Sequence, residues 1–486
     1  MLLSRLASQS LWLDEILTVG PALEATSVAD LIARVRTVDT QPPASHLLLY
    51  ALRGADLHRE FVARLPSLIA VEFAIIVLYS LVARLWNREI GLTVAALAQT
   101  SPYLCFYAAE ARNYGLWLLV VTTSLWLATR WYEAALREGA GRTWGLALLW
   151  GITNALGLWI HLFHAFAIIA QLIVLAIVIA VRRATLPSLG RCLASAAAAQ
   201  IVTAALFAPW ALFLARAVGT GRVGVPWTRE FSLGSILYYV FAAHFGTSLG
   251  PSLRTLHFVS FADVLRSNRV ALTLAGAAIV VTGCTYVSLL RKAAGDAERR
   301  WELLPLLVWP LASIAGPLAY AASTQFPLHP RHLMLIWPVL PLVLALGLSR
   351  YRRLHVPLAG VIALQLVALG NLLFNPHYAK DDERGAVAFA EHHSGAVVYV
   401  LGDVAPYYAT RGKGRPKTFR DFAPDTDDVW LVDNRSWEEP NRRARRTLAL
   451  HLDDLGLVYD GGTTRFRGIV LRHWTARPQP RRPEGR

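Results

Sequence analysis

The sequence predicts an all-α polytopic membrane bundle of about ten transmembrane helices, followed by a small extracytoplasmic C-terminal α/β domain. Three observations predict it. Hydrophobic residues make up 55% of the 486-residue chain and mean hydropathy is +0.40, above the roughly 45–50% apolar share of a soluble domain. They gather in unbroken stretches of about 17–22 residues, the length a helix needs to cross hydrocarbon. The short connections between these stretches alternate between arginine-rich and arginine-poor, as the positive-inside rule requires.

Ten stretches read as spans: Val62–Ala83, Ile90–Tyr107, Tyr114–Trp131, Thr143–Ile160, His164–Val181, Ala194–Ala215, Val270–Leu290, Leu303–Ala322, Leu333–Leu348 and Val356–Phe374. Alternate connections carry Arg84 and Arg88; Arg130, Arg137 and Arg142; Arg182, Arg183 and Arg191; Arg291, Lys292, Arg299 and Arg300; and Arg350, Arg352 and Arg353. The opposite short connections hold only Arg112 and Arg331. The first set is therefore cytoplasmic. This leaves residues 1–61, the loop 216–269 and the tail 375–486 outside. The net charge of +15 does not point to nucleic acid, because so many of the arginines sit in short loops where they set topology. Only Lys292, Lys380, Lys413 and Lys417 are lysines; with the abundant alanine, this suggests a bacterial gene of high GC content and hence a bacterial inner membrane. Cys105, Cys192 and Cys284 lack ligand spacing, so neither a disulfide nor a zinc site is implied.

The ends differ in character. Met1–Ser10 is too short to span and has no signal-peptide core, so a further helix upstream of Met1 is expected. The tail holds 16 of the 33 acidic residues. Asp381 or Asp382 can cap a helix reaching about His393. Ala396–Leu401, Asp428–Val432 and Phe466–Trp474 read as strands and Arg442–Leu455 as a helix, with a disordered Arg/Pro-rich end. No internal repeat is visible.

Five polar clusters fall on the non-cytoplasmic side. Trp12-Leu13-Asp14-Glu15 puts two carboxylates beside a tryptophan that favours the headgroup boundary. Asp39-Thr40-Gln41-Pro42-Pro43 is a rigid turn. Glu110-Ala111-Arg112-Asn113-Tyr114 is a tight turn between spans. His161 and His164 are three apart, as on one helix face, and His329-Pro330-Arg331-His332 opens a span. Each has a plainer explanation: a solvated loop, a stiff turn, arginines reaching headgroups, histidines packed between helices. Five clusters on one face weaken those explanations jointly. Glu72 stands apart at mid-span, where an ionised carboxylate is costly. It reads as a protonated acid bonded to a neighbouring helix, or as part of a transport path.

The order of these motifs resembles the GT-C membrane glycosyltransferases, in the branch of the protein O-mannosyltransferases and the aminoarabinose transferase of lipid A (glycosyltransferase family 39-like). Ser10-Leu11-Trp12-Leu13-Asp14-Glu15 is similar to the family's first-loop acidic motif, and Gln41-Pro42-Pro43 before Leu47-Leu48-Leu49-Tyr50 to that loop's end. Arg64-Leu65-Pro66-Ser67, Ser101-Pro102, Tyr107–Tyr114, Pro209-Trp210, Arg331-His332 and Tyr378–Gly385 also fit in sequence order. In the family the acidic motif sits at the external end of a first helix, the helix expected here upstream of Met1. The resemblance implies an inverting transferase that moves a sugar from a polyprenyl-phosphate carrier to an acceptor hydroxyl on an envelope glycan, lipid or protein. It implies Asp14 as base, with Glu15 positioning Asp14 or the acceptor. Arg112 and Arg331 would hold the leaving phosphate, with Glu110 orienting Arg112 or touching the sugar. His161, His164, His329 and His332 are further contacts to sugar or phosphate. Asp14, Glu15 and the histidines suit a divalent ion chemically, but no cofactor is expected, because relatives with a monophosphate donor mostly look metal-independent.

Three other classes compete. A flippase or transporter predicts repeats, broken helices and mid-membrane charges, a receptor or scaffold leaves Asp14, Arg112 and Arg331 unexplained, and a GT-C polymer ligase would use a pyrophosphate-linked donor.

Overall fold

The structure is a computed structural model that describes residues 9–38, 41–56, 59–137, 140–182, 189–219, 233–252, 255, 261–295, 300–324, 328–393, 396–399, 428–434 and 439–476. Three short helices come first: α1 (Leu13–Glu24), α2 (Val28–Val38) and α3 (Ala44–Ala51). The bundle then runs through α4 (Glu60–Leu85), α5 (Arg88–Gln99), α6 (Pro102–Ala108), α7 (Tyr114–Arg137), α8 (Ala140–Ile160), α9 (His164–Arg182) and α10 (Leu189–Gly219). It continues with α11 (Leu233–Phe245), α12 (Phe261–Ser267), α13 (Arg269–Gly295), α14 (Arg300–Thr324), a 3₁₀ segment Pro330–Leu335, α15 (Val339–Arg350) and α16 (His355–Phe374). The tail adds α17 (Glu383–His393), β1 (Ala396–Tyr399), β2 (Asp428–Asn434), α18 (Glu439–Asp454), β3 (Leu457–Phe466) and β4 (Ile469–Ala476).

All ten expected spans fall on helical segments. Five helices are long and apolar enough over their described residues to cross a membrane: Glu60–Leu85, Thr143–Ile160, Leu189–Ala217, Arg269–Ala293 and Arg352–Phe374. Their outward faces stay apolar, with Ile201 68%, Val270 67% and Val280 62% exposed. Water would penalise such surfaces, whereas lipid solvates them.

Two spans expected to be continuous are broken, both at proline. Pro102 disfavours helix at Ser101, so α5 ends at Gln99 and α6 restarts with Ser101 Oγ accepting from Leu104 N at 3.3 Å. The span Leu333–Leu348 begins as the 3₁₀ segment and becomes α-helical only after Pro338. Irregular backbone at this depth must find its hydrogen bonds in the protein. Tyr103 donates to Pro330 O at 2.7 Å, Trp309 Nε1 to Leu335 O at 2.8 Å, and Tyr239 to Leu328 O. Those three bonds brace the segment that carries Arg331.

Helices approach closely where a side chain is missing. A Cβ on Gly115 would lie 2.5 Å from Ser67 O, and one on Gly151 2.5 Å from Ala199 O. These contacts let α7 meet α4 and α8 meet α10 backbone to backbone.

The tail sheet has strand order β1-β2-β4-β3, with β1 parallel to β2 and the other pairs antiparallel. Alternation along β2 divides its faces. Val429 and Leu431 pack with Leu448, Leu452 and Trp474, while Trp430 and Val432 face Ala386, Val387 and Ala390 of α17. That second cluster continues into Leu11, Ile16, Val19 and Ala22, so the sheet is seated on α1 through α17. The sequence reading missed β3. It runs with mostly exposed side chains, so it lacks the alternating signal of a half-buried strand. Phe466 accordingly ends β3, and the last strand starts at Ile469 after a turn at Gly468, whose φ is +79°. Asp382 caps α17, accepting from Gly385 N at 3.1 Å. The proposed Arg/Pro-rich end lies outside the described residues.

Gly151→Leu is expected to destabilise the bundle by about 1–3 kcal/mol through overpacking. Gly145→Leu, on the same helix with nothing within 4 Å of an added Cβ, is expected to leave the melting temperature of the purified protein unchanged.

Candidate functional site

The site is assembled on α1. Trp12 N donates to Glu15 Oε2 at 3.2 Å, the local contact expected of a glutamate three residues inside a helix. The rest of Glu15's environment is tertiary. Arg64 of α4 clamps it from two nitrogens, Nε to Oε1 at 2.7 Å and Nη2 to Oε2 at 2.8 Å. Ala111 N donates to Oε1 at 2.8 Å, and Lys380 Nζ to Oε2 at 2.8 Å. Arg64 spends its remaining capacity on Gln9 O at 2.8 Å and Ser10 O at 2.9 Å. Glu15 and Arg64 are sealed, at 0% and 1% side-chain exposure. Burial opposes ionisation of Glu15, but the Arg64 and Lys380 charges outweigh it and hold the carboxyl well below its ordinary range. Glu15 therefore organises the site and presents nothing to open space.

Asp14, one residue earlier, points the other way and is 24% exposed. Its Oδ2 accepts from Arg331 Nη1 at 2.5 Å. Burial again opposes ionisation, and the nearby Arg112 and Arg331 guanidiniums, with His329, overcome it and lower the carboxyl. Arg112 Nη1 donates to Thr18 Oγ1 at 2.7 Å, one turn below Asp14 on α1. Both guanidiniums lie over the ring of Tyr114, at 5.9 Å for Arg112 and 5.8 Å for Arg331. The two arginines that break the positive-inside pattern thus converge on one carboxylate.

Glu110 is 1% exposed, and neither carboxyl oxygen has a hydrogen-bond partner among the described residues. Its nearest cation is Lys380 Nζ, 3.6 Å from Oε1. Burial first, then the neighbouring Glu15 and Asp14 charges, raise its carboxyl above the ordinary carboxylate range against the pull of Lys380 and Arg331.

His161 and His332 complete this rim. His161 stacks on Trp117 at 4.0 Å and 10°, His332 on Phe163 at 4.4 Å and 8°, and the two imidazoles meet at 6.0 Å. Each Nδ1 accepts a backbone N–H, from Phe163 and His329 respectively. Burial and the Arg331 charge push both rings toward the neutral form.

His164 does not join them. The chain leaves helix at His161, so the spacing of three does not place the pair on one helix face. Instead His164 bonds Asn154 Oδ1 at 3.2 Å, inside a polar network of Ser124, Asn154 and Gln171. Glu72 also lies elsewhere, accepting from Gln99 Nε2 at 2.9 Å on the adjacent helix α5. Gln41 reaches toward the 161–163 turn, with Leu162 N 3.5 Å from its Oε1; Asp39 and Thr40 lie outside the described residues.

Two residues of the site went unrecognised as such in the sequence, Arg64 and Lys380. The usable signal for Lys380 was its rarity: it is one of four lysines and stands where the last span meets the tail. Two cavities flank the centre. A narrow cleft of about 20 Å³ lies between α11 and α14, lined by Ile236, Tyr239, Val240, Ile314, Pro317 and Leu318, and ends at His329 and His332. A smaller one of about 10 Å³ is lined by Thr18, Ser45, Ser67, Ala111 and Arg112. No three His, Cys, Asp or Glu side chains converge as a metal-ligand set among the described residues.

A known structure shares this architecture. ArnT from Cupriavidus metallidurans bound to undecaprenyl phosphate superposes with a TM-score of 0.54 at 12% identity, over 98% of this chain and 97% of that one. ArnT from the same organism in the apo state gives 0.48 at 13% identity over the same shares. AglB from Archaeoglobus fulgidus, in complex with an inhibitory peptide and a dolichol-phosphate, gives 0.44 at 11% identity, over 88% of this chain and 66% of that one. No family model and no curated protein matches the chain. The fold is ArnT-like.

Glu15 and Glu110 are expected to respond oppositely to neutralisation. Glu15→Gln leaves Arg64 and Lys380 short of a counter-charge and is expected to cost about 3–5 kcal/mol. Because the folded carboxyl of Glu15 lies below its unfolded value, that stabilisation is complete above the ordinary carboxylate range and drains away as pH falls below it. Glu110 is raised on folding, so its contribution is present at low pH and lost as pH rises through its folded value. Glu110→Gln is therefore expected to be neutral or stabilising, with a gain that grows with pH. Thermal melts of both variants across pH check the signs.

Proposed function

We propose that the protein is a GT-C glycosyltransferase that moves a sugar from a polyprenyl-phosphate carrier to an acceptor hydroxyl, with inversion at the anomeric carbon. The observation that carries this reading is the pairing of Asp14 with Arg331, with Arg112 alongside and itself lining a pocket with Thr18 and Ala111. The ArnT-like fold supports it, since one of the similar structures is bound to undecaprenyl phosphate.

Each half of the pairing matches one half of the reaction. The leaving phosphate gains charge as its bond to the sugar breaks. Two guanidiniums in a half-dry site stabilise that charge better than water does, because they need no reorganisation. The acceptor hydroxyl must lose its proton as its oxygen attacks. Asp14 takes that proton, and the electron pair of the broken C–O bond leaves with the carrier phosphate.

The Asp14–Arg331 ion pair also gives an order of events. While Arg331 holds Asp14, the carboxylate is a poor base. A bound phosphate draws the guanidinium charge onto itself, which restores the basicity of Asp14 only once a donor is present. Neutral His161 and His332 contribute uncharged donors beside the phosphate, and Glu15, clamped by Arg64, fixes the start of α1. The apolar side chains of α11 and α14 beside His329 and His332 suit contact with the first isoprene units of the carrier. The site would face the non-cytoplasmic side of a bacterial inner membrane, with the C-terminal domain outside. His164 has no part in this mechanism.

Asp14→Asn is expected to slow transfer by about 10²–10⁴-fold while leaving undecaprenyl-phosphate affinity nearly intact. Arg331→Ala is expected to weaken that affinity and spare the acceptor's KM. Lipid binding and two-substrate kinetics separate the two, and full turnover by Asp14→Asn would remove it as the base.

A further inference from the structure

Lys380 comes from the segment that leads from α16 into the C-terminal domain, yet its ammonium sits in the centre of the site with 10% side-chain exposure. It contacts Glu15 at 2.8 Å and Glu110 at 3.6 Å, and lies 5.4 Å above the Trp12 ring. A long, strongly hydrated cation is not held in such a place without a clamp. The clamp is visible. Arg467, in the β3–β4 turn, donates Nε to Lys380 O at 2.5 Å, and its own carbonyl accepts from Asp382 N at 2.9 Å. Gly468 has φ +79°, and a Cβ there would collide with the Asp381 carboxylate. Beyond the hairpin, Arg384 bonds Glu60 Oε2 at 3.0 Å, and its N–H reaches Ser10 Oγ at 3.1 Å.

We propose that the β3–β4 hairpin is a latch that inserts Lys380 between Glu15 and Glu110, making Lys380 a positioning residue without which the centre is incomplete. The tail domain is then a working part of the site. The latch stands on the contacts alone; its consequence for lipid binding rests on the function proposed above. Glu110 is faced by Lys380, Glu15, Asp14 and Arg331, with the Tyr107 and Tyr114 hydroxyls nearby. Lys380 is the cation nearest to it and favours its ionised form.

Amine footprinting of the full chain tests the latch without reference to activity, because exposed Lys292 serves as an internal reference. In the parent, Lys380 is expected to react at least about tenfold more slowly than Lys292, as a residue that reacts only through local opening. Gly468→Ala is expected to abolish the difference, and Arg467→Ala supplies the same test if the glycine variant does not fold. Equal reactivity in the parent, or unchanged protection in a folded hairpin variant, overturns the latch.

The positioning role is read from pH. Affinity for undecaprenyl phosphate is expected to fall as rising pH ionises Glu110. Lys380→Met should move that fall to higher pH, and Lys380→Arg should leave it in place. A Lys380→Met profile that coincides with the parent overturns the positioning role. A parent that binds no undecaprenyl phosphate at any pH sinks the proposed function instead, and the footprint still decides the latch.

Discussion

The buried bridge between Glu15 and Arg64 is the constraint on which the rest of the site depends. Ions taken out of water are costly, and their attraction offsets the cost only with good geometry and full hydrogen bonding. Both conditions are met here. Glu15 accepts from Arg64, Lys380, Ala111 N and Trp12 N, while Arg64 also satisfies two carbonyls of the irregular segment before α1. One ion pair thereby joins α1, α4, the 110–113 turn and the tail segment. The reward is orientation: with Glu15 locked inward, helix geometry turns Asp14 outward toward the two arginines.

A second constraint comes from the solvent. Three pieces of irregular backbone meet at this rim: the Ser101–Pro102 break, the turn at His161 and the 3₁₀ segment at Pro330. Away from water each must be satisfied by the protein. Tyr103, Trp309 and Tyr239 serve the 3₁₀ segment, and Asn113 Nδ2 binds Ile160 O at 2.7 Å beside His161. The aromatic residues at this end therefore do more than anchor an interface. They brace the 3₁₀ segment that delivers Arg331 and His332, while the turn at His161 and the 110–113 turn bring His161 and Arg112 to the same place.

Charge is distributed so that neighbouring acids take different states. Glu15 stays ionised because two cations touch it. Asp14 stays ionised because two arginines face it. Glu110, enclosed with a single lysine at 3.6 Å and two other acids nearby, leans toward its neutral form. Such divergence among adjacent carboxyls is how one site keeps separate roles for proton transfer and charge support.

Much of this was legible in the sequence. Apolar length located the helices, arginine asymmetry isolated Arg112 and Arg331, and the Trp-Leu-Asp-Glu run drew attention to α1, because these signals depend only on transfer free energy and local order. Periodicity failed wherever a partner's side chain sets the backbone: His164 separated from His161 because the chain turns between them, and exposed β3 carried no alternation. What the tertiary structure alone decided is the division of labour between Asp14 and Glu15, and the presence of Arg64 and Lys380 beside them. Two adjacent acids look alike in a chain; which is sealed and which is offered outward depends on cations 49 and 365 residues away. No local rule encodes those distances, because electrostatics acts through space and not along the backbone.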